Sequence, residues 1–231
     1  MKRNFTILFA LVLALSLVML PVGVVQAANL CAYYNTGDDM WTGGLWGDGL
    51  VAQTFTPESD CSVTSVKLQL RRTGLPGTII VSINATDSNG HPTGPALTLG
   101  TTDGDTIPTT SPGEWREITL TSYDLTGGTK YAIVVRAPSG NLTPPNVIHW
   151  RYDSAGAYDG GNAEGSLNNG ATWSTYTDID MMFEVWGEGP VEVGGEVYPV
   201  NKLSVLAPWI ALVAVIIPIA TIVIRRRRAQ S

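Results

Sequence analysis

The chain has 231 residues, a formal net charge of −6, 44% hydrophobic and 15% charged side chains, and only two cysteines. The charge is uneven: residues 28–188 hold seven Lys and Arg against eighteen Asp and Glu, a net of −11, while both ends of the chain are basic. That balance argues against a nucleic-acid partner, whose phosphates need clustered cations, and the length is enough to bury a sizeable core.

The first 27 residues read as a secretory signal peptide. Lys2 and Arg3 precede an apolar stretch from Phe5 to Leu20, Pro21 breaks it, and small residues surround Val25-Gln26-Ala27, so Ala28 becomes the new N-terminus. The run is short for an uncleaved anchor, and either reading places residues 28–188 outside the cell.

Residues 28–188 are predicted to be one all-β domain. In "SVTSVKLQLRR" Val66, Leu68 and Leu70 alternate with Lys67, Gln69 and Arg71, "GTIIVSIN" is rich in β-branched residues, and in "KYAIVVRAP" Tyr131, Ile133 and Val135 alternate with Ala132, Val134 and Arg136. Further strands are predicted at 51–57, 96–101, 115–121, 147–152, 165–167, 172–176 and 181–187, separated by turns such as "LPG", "DSNG", "TTDGD" and "SPG". Nine or so short strands with no helical pattern between them predict a jelly-roll-like β-sandwich. Cys31 and Cys61 lie in the exported part and are expected to form a disulfide, worth about 3–4 kcal/mol by loop entropy. Two cysteines with His91 and His149 make poor grounds for structural zinc.

Residues 189–202 form a stalk rich in Gly, Pro and acidic residues. Leu203 to Ile224 carries no charged side chain, and 22 helical residues reach about 33 Å, enough to cross a bilayer as a single transmembrane helix. Arg225, Arg226, Arg227 and Arg228 come directly after it, and the positive-inside rule then puts residues 225–231 in the cytoplasm and the sandwich outside, at the cell membrane.

Several stretches carry a family likeness. "AQTFTPESDCSVTSVKLQLRRTGLPGTIIVSINATDSNGHPTG", "GEWREITL", "GTKYAIVVRAP" and "MMFEVWGEG" resemble the choice-of-anchor sandwich of prokaryotic surface proteins, over roughly residues 50–188. The resemblance implies a jelly-roll module displayed outside the cell, similar in shape to carbohydrate-binding modules. The tail is also similar to prokaryotic sorting signals but has no LPxTG-like motif, so a retained helix is the simpler reading.

Four groups of residues are candidates for chemistry. "SLNNGATW" matches the Asp-box pattern at Ser166, Gly170 and Trp173, with Asn168 in the aspartate position, and is read as a structural hairpin turn. Asp38 with Asp39, Asp87, and Asp103 with Asp105 sit in oxygen-rich loops that calcium favours, set against a reading as solvated turn residues; a structural calcium is the cofactor they would take. In "HWRYDSAGAYDGGN" aromatic rings that could stack on a sugar lie beside polar groups for its hydroxyls, which makes Trp150, Arg151, Tyr158, Asp159 and Asn162 the candidate ligand contacts. Trp150 and Tyr152 share one strand face, so core packing is the competing reading for Trp150, and Tyr158 in its Gly-rich loop is the better candidate for exposure. For catalysis there is no nucleophile motif beside His149 and no H-E-x-x-H, so no enzyme is predicted. Asn84 and Asn141 head glycosylation sequons.

The sequence thus predicts a membrane-anchored surface protein whose sandwich binds glycan or another surface polymer without cleaving it. A structural or adhesive envelope protein making protein contacts is the alternative, and a glycan-cleaving enzyme a distant one. Membrane is the predicted partner, nucleic acid is not, and oligomeric state is not legible.

Overall fold

The computed structural model describes residues 28–37, 40–156 and 158–188, which fall in one compact unit. The predicted signal peptide, stalk, span and arginine tail, and Asp38 with Asp39, lie outside the described residues. Among the described residues, no helix is long and apolar enough to cross a membrane.

The described chain is all β. Its strands are β1 (Ala28–Tyr34), β2 (Met40–Trp41), β3 (Leu50–Phe55), β4 (Cys61–Thr73), β5 (Thr78–Thr86), β6 (Pro92–Asp103), β7 (Glu114–Leu125) and β8 (Tyr131–Arg136), then β9 (Asn141–Leu142), β10 (Pro145–Asp153), β11 (Ala163–Ser166), β12 (Ser174–Tyr176), β13 (Asp180–Met181) and β14 (Phe183–Glu188). Strand β1 and the two-residue β2 and β9 were not expected from periodicity, and the predicted strand at 181–187 is two strands, β13 and β14.

Two antiparallel sheets result. In the first, β14 lies between β1 and β4, β7 pairs with β4 along its opposite edge, and β10 pairs with the end of β4 and with β2, β9 and β13. The second runs β12-β11-β3-β8-β5-β6. Among the eight principal strands β1, β3, β4, β5, β6, β7, β8 and β14, the first pairs with the last, the second with the seventh, the third with the sixth and the fourth with the fifth. This nested pairing is the strand order of a jelly roll.

Strand β4 illustrates how the sequence sets the geometry. Cys61 and Val63 are buried, as are Val66, Leu68 and Leu70, yet the step from Val63 to Val66 is three positions where strict alternation takes steps of two. A register shift against β7 between Val63 and Ser65 absorbs the extra residue, so both runs face inward. Phe55, Leu68, Leu70, Ile79, Ile83, Ile133, Trp150 and Phe183 fill the space between the sheets.

The disulfide joins Cys31 of β1 to Cys61 of β4. Those strands are the two neighbours of β14, so the bond straddles the end of that strand. Gly187 lies beneath it: a Cβ there would come within 2.8 Å of the Cys61 sulfur and would also strike the Ser62 carbonyl.

The second sheet also buries part of its outer face. Its rows run Glu164, Ala52, Val134, Ser82 and Ser166, Leu50, Arg136, Ile80 across β11, β3, β8 and β5. Leu50, Ala52, Ala132 and Val134 form a small apolar patch there, with Trp173 packed against it.

Candidate functional site

The Asp-box segment forms the turn between β11 and β12. The Ser166 hydroxyl donates to Asn168 Oδ1 (2.9 Å) and accepts from the Gly170 N–H (2.9 Å), while Asn168 Oδ1 also accepts from the Thr172 N–H (2.9 Å). Asn169 and Gly170 take φ of 54° and 84°, which glycine reaches without strain and asparagine tolerates. The turn is a side-chain-capped loop that projects Trp173 back onto Leu50 and its neighbours.

This hairpin separates two clefts. The larger, about 460 Å³, opens where the edge of the second sheet meets β2, β10 and β13. Trp41, Tyr152 and Tyr176 wall it, Val51, Ala163, Gly165 and Met181 line it further, and the hydroxyls of Thr42, Thr172 and Ser174 lie around it. Three aromatic side chains from three separate strands therefore face one space, Tyr176 with 46% of its surface exposed. Trp41 is held in place by two guanidinium groups, Arg71 at 5.0 Å and Arg151 at 5.7 Å from its ring centre. The smaller cleft, about 320 Å³, lies on the outer face of the second sheet, and Ser82, Asn84, Val134, Arg136 and Trp173 are among its lining.

The five residues expected to contact ligand are not gathered in either cleft. Trp150 is a correction: it is fully buried, and its indole N–H donates to the Met182 carbonyl at 2.8 Å, so it is a satisfied core residue with no surface to offer. Arg151 is 9% exposed and serves Trp41. Tyr158, expected at the surface, folds inward onto Tyr34 (5.7 Å between rings) and edge-on to Phe183 (5.4 Å), and its burial pushes the phenol pKa up to about 12. Asp159 is exposed in the turn beyond it, and the Asn162 backbone docks on Thr54, its N–H donating to the Thr54 hydroxyl at 2.7 Å. The residue of that segment that reaches a cleft is Tyr152, which shares its strand face with Trp150 but sits two residues nearer the sheet edge. Tyr176 and Trp41 were missed or undervalued, since nothing local shows that β2, β10 and β12 converge.

The acidic loops are used internally. Asp103 accepts from the Asp105 N–H (3.0 Å) and Asp105 from the Gly77 N–H (2.8 Å), fixing the short 3-10 turn at Gly104–Thr106 against the β4–β5 turn. Asp87 accepts from the N–H groups of Asn89 (2.8 Å) and His91 (3.0 Å), with the His91 N–H leading the forces that hold its carboxyl below the usual value. These carboxylates cap turns, and among the described residues there is no group of three or more His, Cys, Asp or Glu side chains that could hold a metal ion. Asn84 of the first sequon lies within the smaller cleft, its amide donating to the Gly94 carbonyl and accepting from Ser82, whereas Asn141 is exposed in β9.

Glu164 and His149 are likewise engaged. Among the described residues Glu164 is the carboxylate that lines the larger cleft, and it is 2% exposed, bound by His91 Nδ1 at 2.9 Å and by the Thr175 hydroxyl at 2.8 Å. His149 is held between the Thr42 carbonyl (2.8 Å) and the Thr73 hydroxyl (3.1 Å), and burial, with the charge of Arg71, lowers its pKa, so it is neutral at pH 7.

Compared with known families and with curated proteins by sequence, the chain matches none. Among solved structures it is similar to the cysteine protease and lectin-like domains of Cwp84, a surface layer associated protein of Clostridium difficile, at 16% identity and a TM-score of 0.41, over 61% of this chain and 32% of that one. The chain thus spans about a third of the length of that structure.

Proposed function

We propose that the sandwich is a non-catalytic binding module displayed at the cell surface, with residues 203–224 as its membrane anchor, and that it takes a sugar ring of a surface polymer in the larger cleft. The observation that carries this reading is the convergence of Trp41, Tyr152 and Tyr176 on one open, half-polar space. A pyranose presents an apolar C–H face to an aromatic ring and a rim of hydroxyls to polar neighbours, and the cleft offers both. The signal-peptide and span patterns of the sequence support the placement outside the membrane. Among the described residues the cleft is lined by one carboxylate, already engaged, and binding rather than cleavage fits that lining, because glycosidases of the common kind need two, roughly 5–10 Å apart across the bond.

The test is a glycan-array screen of the full chain in detergent beside Tyr176→Ala and Trp41→Ala. The reading expects specific glycans to be bound and at least about tenfold of that affinity to be lost in folded Tyr176→Ala, as removal of one stacking ring implies. Binding that survives both substitutions in folded protein, or none across a broad array, overturns it. The adhesive alternative draws on Leu167, 90% exposed at the hairpin tip beside the cleft, and a Leu167→Ser variant that loses protein partners while keeping glycans would favour it.

A further inference from the structure

We infer that the smaller cleft is a second, charge-selective subsite that takes a sugar residue bearing a carboxylate, with Arg136 binding the acid and Trp173 the ring. The inference rests on the sugar-binding reading above and adds to it the chemical class of one residue of the polymer.

Arg136 occupies the centre of the second sheet, directly between Leu50 of β3 and Ile80 of β5, in the outward phase of β8. Central positions of a sheet face with apolar neighbours are costly places for a cation. Its Nε is buried and has no hydrogen-bond partner, and among the described residues it makes no ion pair. The domain has acidic side chains in excess, eighteen against seven cations, so the missing counter-charge is not explained by scarcity. A guanidinium left without its anion inside a cleft has the fork of donors that a planar carboxylate fills in two parallel hydrogen bonds.

The remaining lining decides between a bare anion and a sugar acid. Trp173 stands over the same cleft, fixed by the side-chain-capped turn, and Asn84 with Ser82 supplies amide and hydroxyl groups at its floor. A cleft of about 320 Å³ is large for one small anion and suits a single ring with its carboxylate. The two clefts share Leu50 and flank one hairpin, so adjoining residues of one polymer can be read on either side of it.

The experiment is a ligand-observed NMR titration of the full chain in detergent with glucuronic acid, glucose and sodium sulfate. A monosaccharide is the probe because a domain of net charge −11 repels a polyanion at low salt, which would mask the contact. Glucuronic acid is expected to bind at least about tenfold more tightly than glucose, and Arg136→Gln to abolish that preference. The same variant is expected to melt no lower than wild type, because it removes a half-buried charge that no carboxylate of the described residues offsets; this separates a binding role from a structural one. Trp173→Phe, which keeps a ring over Leu50, retains the preference. Three results overturn the inference: a preference that persists in Arg136→Gln, a melting temperature that falls by several degrees in that variant, or sulfate that displaces glucuronic acid as well as the sugar acid itself binds. If glycans bind in a Tyr176-dependent way and glucuronic acid shows no Arg136 dependence, this subsite alone falls; if neither cleft binds sugar, the broader reading falls with it.

Discussion

Asp153 and Asp180 are direct partners across β10 and β13, and both are buried, 5% and 2% exposed. Each is supplied with donors. The Tyr34 hydroxyl and the Ala155 N–H (3.0 Å) serve Asp153, and Gln53 Nε2 (3.1 Å) and the Tyr158 N–H (2.9 Å) serve Asp180. They tie the 158–162 segment and the β3 strand to the edge of the first sheet, and neither lines a cleft.

Burial, reinforced by Asp153 and Asp159, holds the Asp180 carboxyl above its ordinary value of 3.8 despite those donors. The folded chain therefore keeps this proton more firmly than the unfolded one, so the contribution of Asp180 to stability is greatest below 3.8 and is lost as pH rises through the raised folded value. Asp180→Asn keeps one acceptor where two donors point, and is expected to cost about 1–2 kcal/mol near pH 4. Urea midpoints of the two proteins should draw together from pH 4 to pH 7; a gap that widens contradicts the assignment.

Loss of the disulfide is expected to cost about 3–4 kcal/mol, read as a drop in melting temperature for Cys31→Ser with Cys61→Ser or on reduction. Gly187→Ala should cost about 1–3 kcal/mol in the oxidised protein, because its methyl group meets the Cys61 sulfur and the Ser62 carbonyl. Thermal melts of the oxidised variant measure that cost directly.

Asn168→Ala removes the acceptor that caps the Thr172 N–H, and Gly170→Ala places a side chain at a φ of 84°. Each is expected to cost about 1 kcal/mol, with faster hydrogen exchange confined to residues 166–173. Because the hairpin lines both clefts, either change should weaken sugar binding at both together.

Trp150→Phe forfeits the bond to Met182 and part of the core volume, at an expected cost of about 1–3 kcal/mol, and Trp150→Ala costs about 3–5 kcal/mol. In Trp150→Phe that remains folded, glycan affinity should equal that of wild type. A selective loss of affinity at unchanged stability would return Trp150 to the binding surface.

Much of the sandwich was legible because alternation is local. Val66, Leu68 and Leu70 of β4 and Tyr131, Ile133 and Val135 of β8 point inward as their spacing requires, and the pairing of Cys31 with Cys61 is the one expected of two cysteines in a segment read as exported. Strand β1 was illegible because its burial pattern hardly alternates; it is a strand by virtue of its ladder with β14, whose residues come far later in the chain, Ala28 pairing with Glu188 and Tyr34 with Phe183. The clefts were out of reach for a related reason. Trp150 and Tyr152 have the same parity, and only the position of the sheet edge makes one core and the other a wall. Arg136 has the polar phase of an ordinary strand, and only the order β3-β8-β5 places it at the middle of a sheet.

The pairing of Ala28 with Glu188 gives the domain a mechanical character. Tension entering at Glu188 arrives on a strand bonded along both flanks, to β1 on one side and β4 on the other, so no free edge offers a place to start peeling. The two flanking strands are covalently joined across that same end, so the outer one cannot part from the inner one without breaking a bond. A module pulled through its C-terminal strand is thus gripped as by a clamp, and a force probe attached there should meet its greatest resistance before the first strand is lost and a much weaker one after reduction.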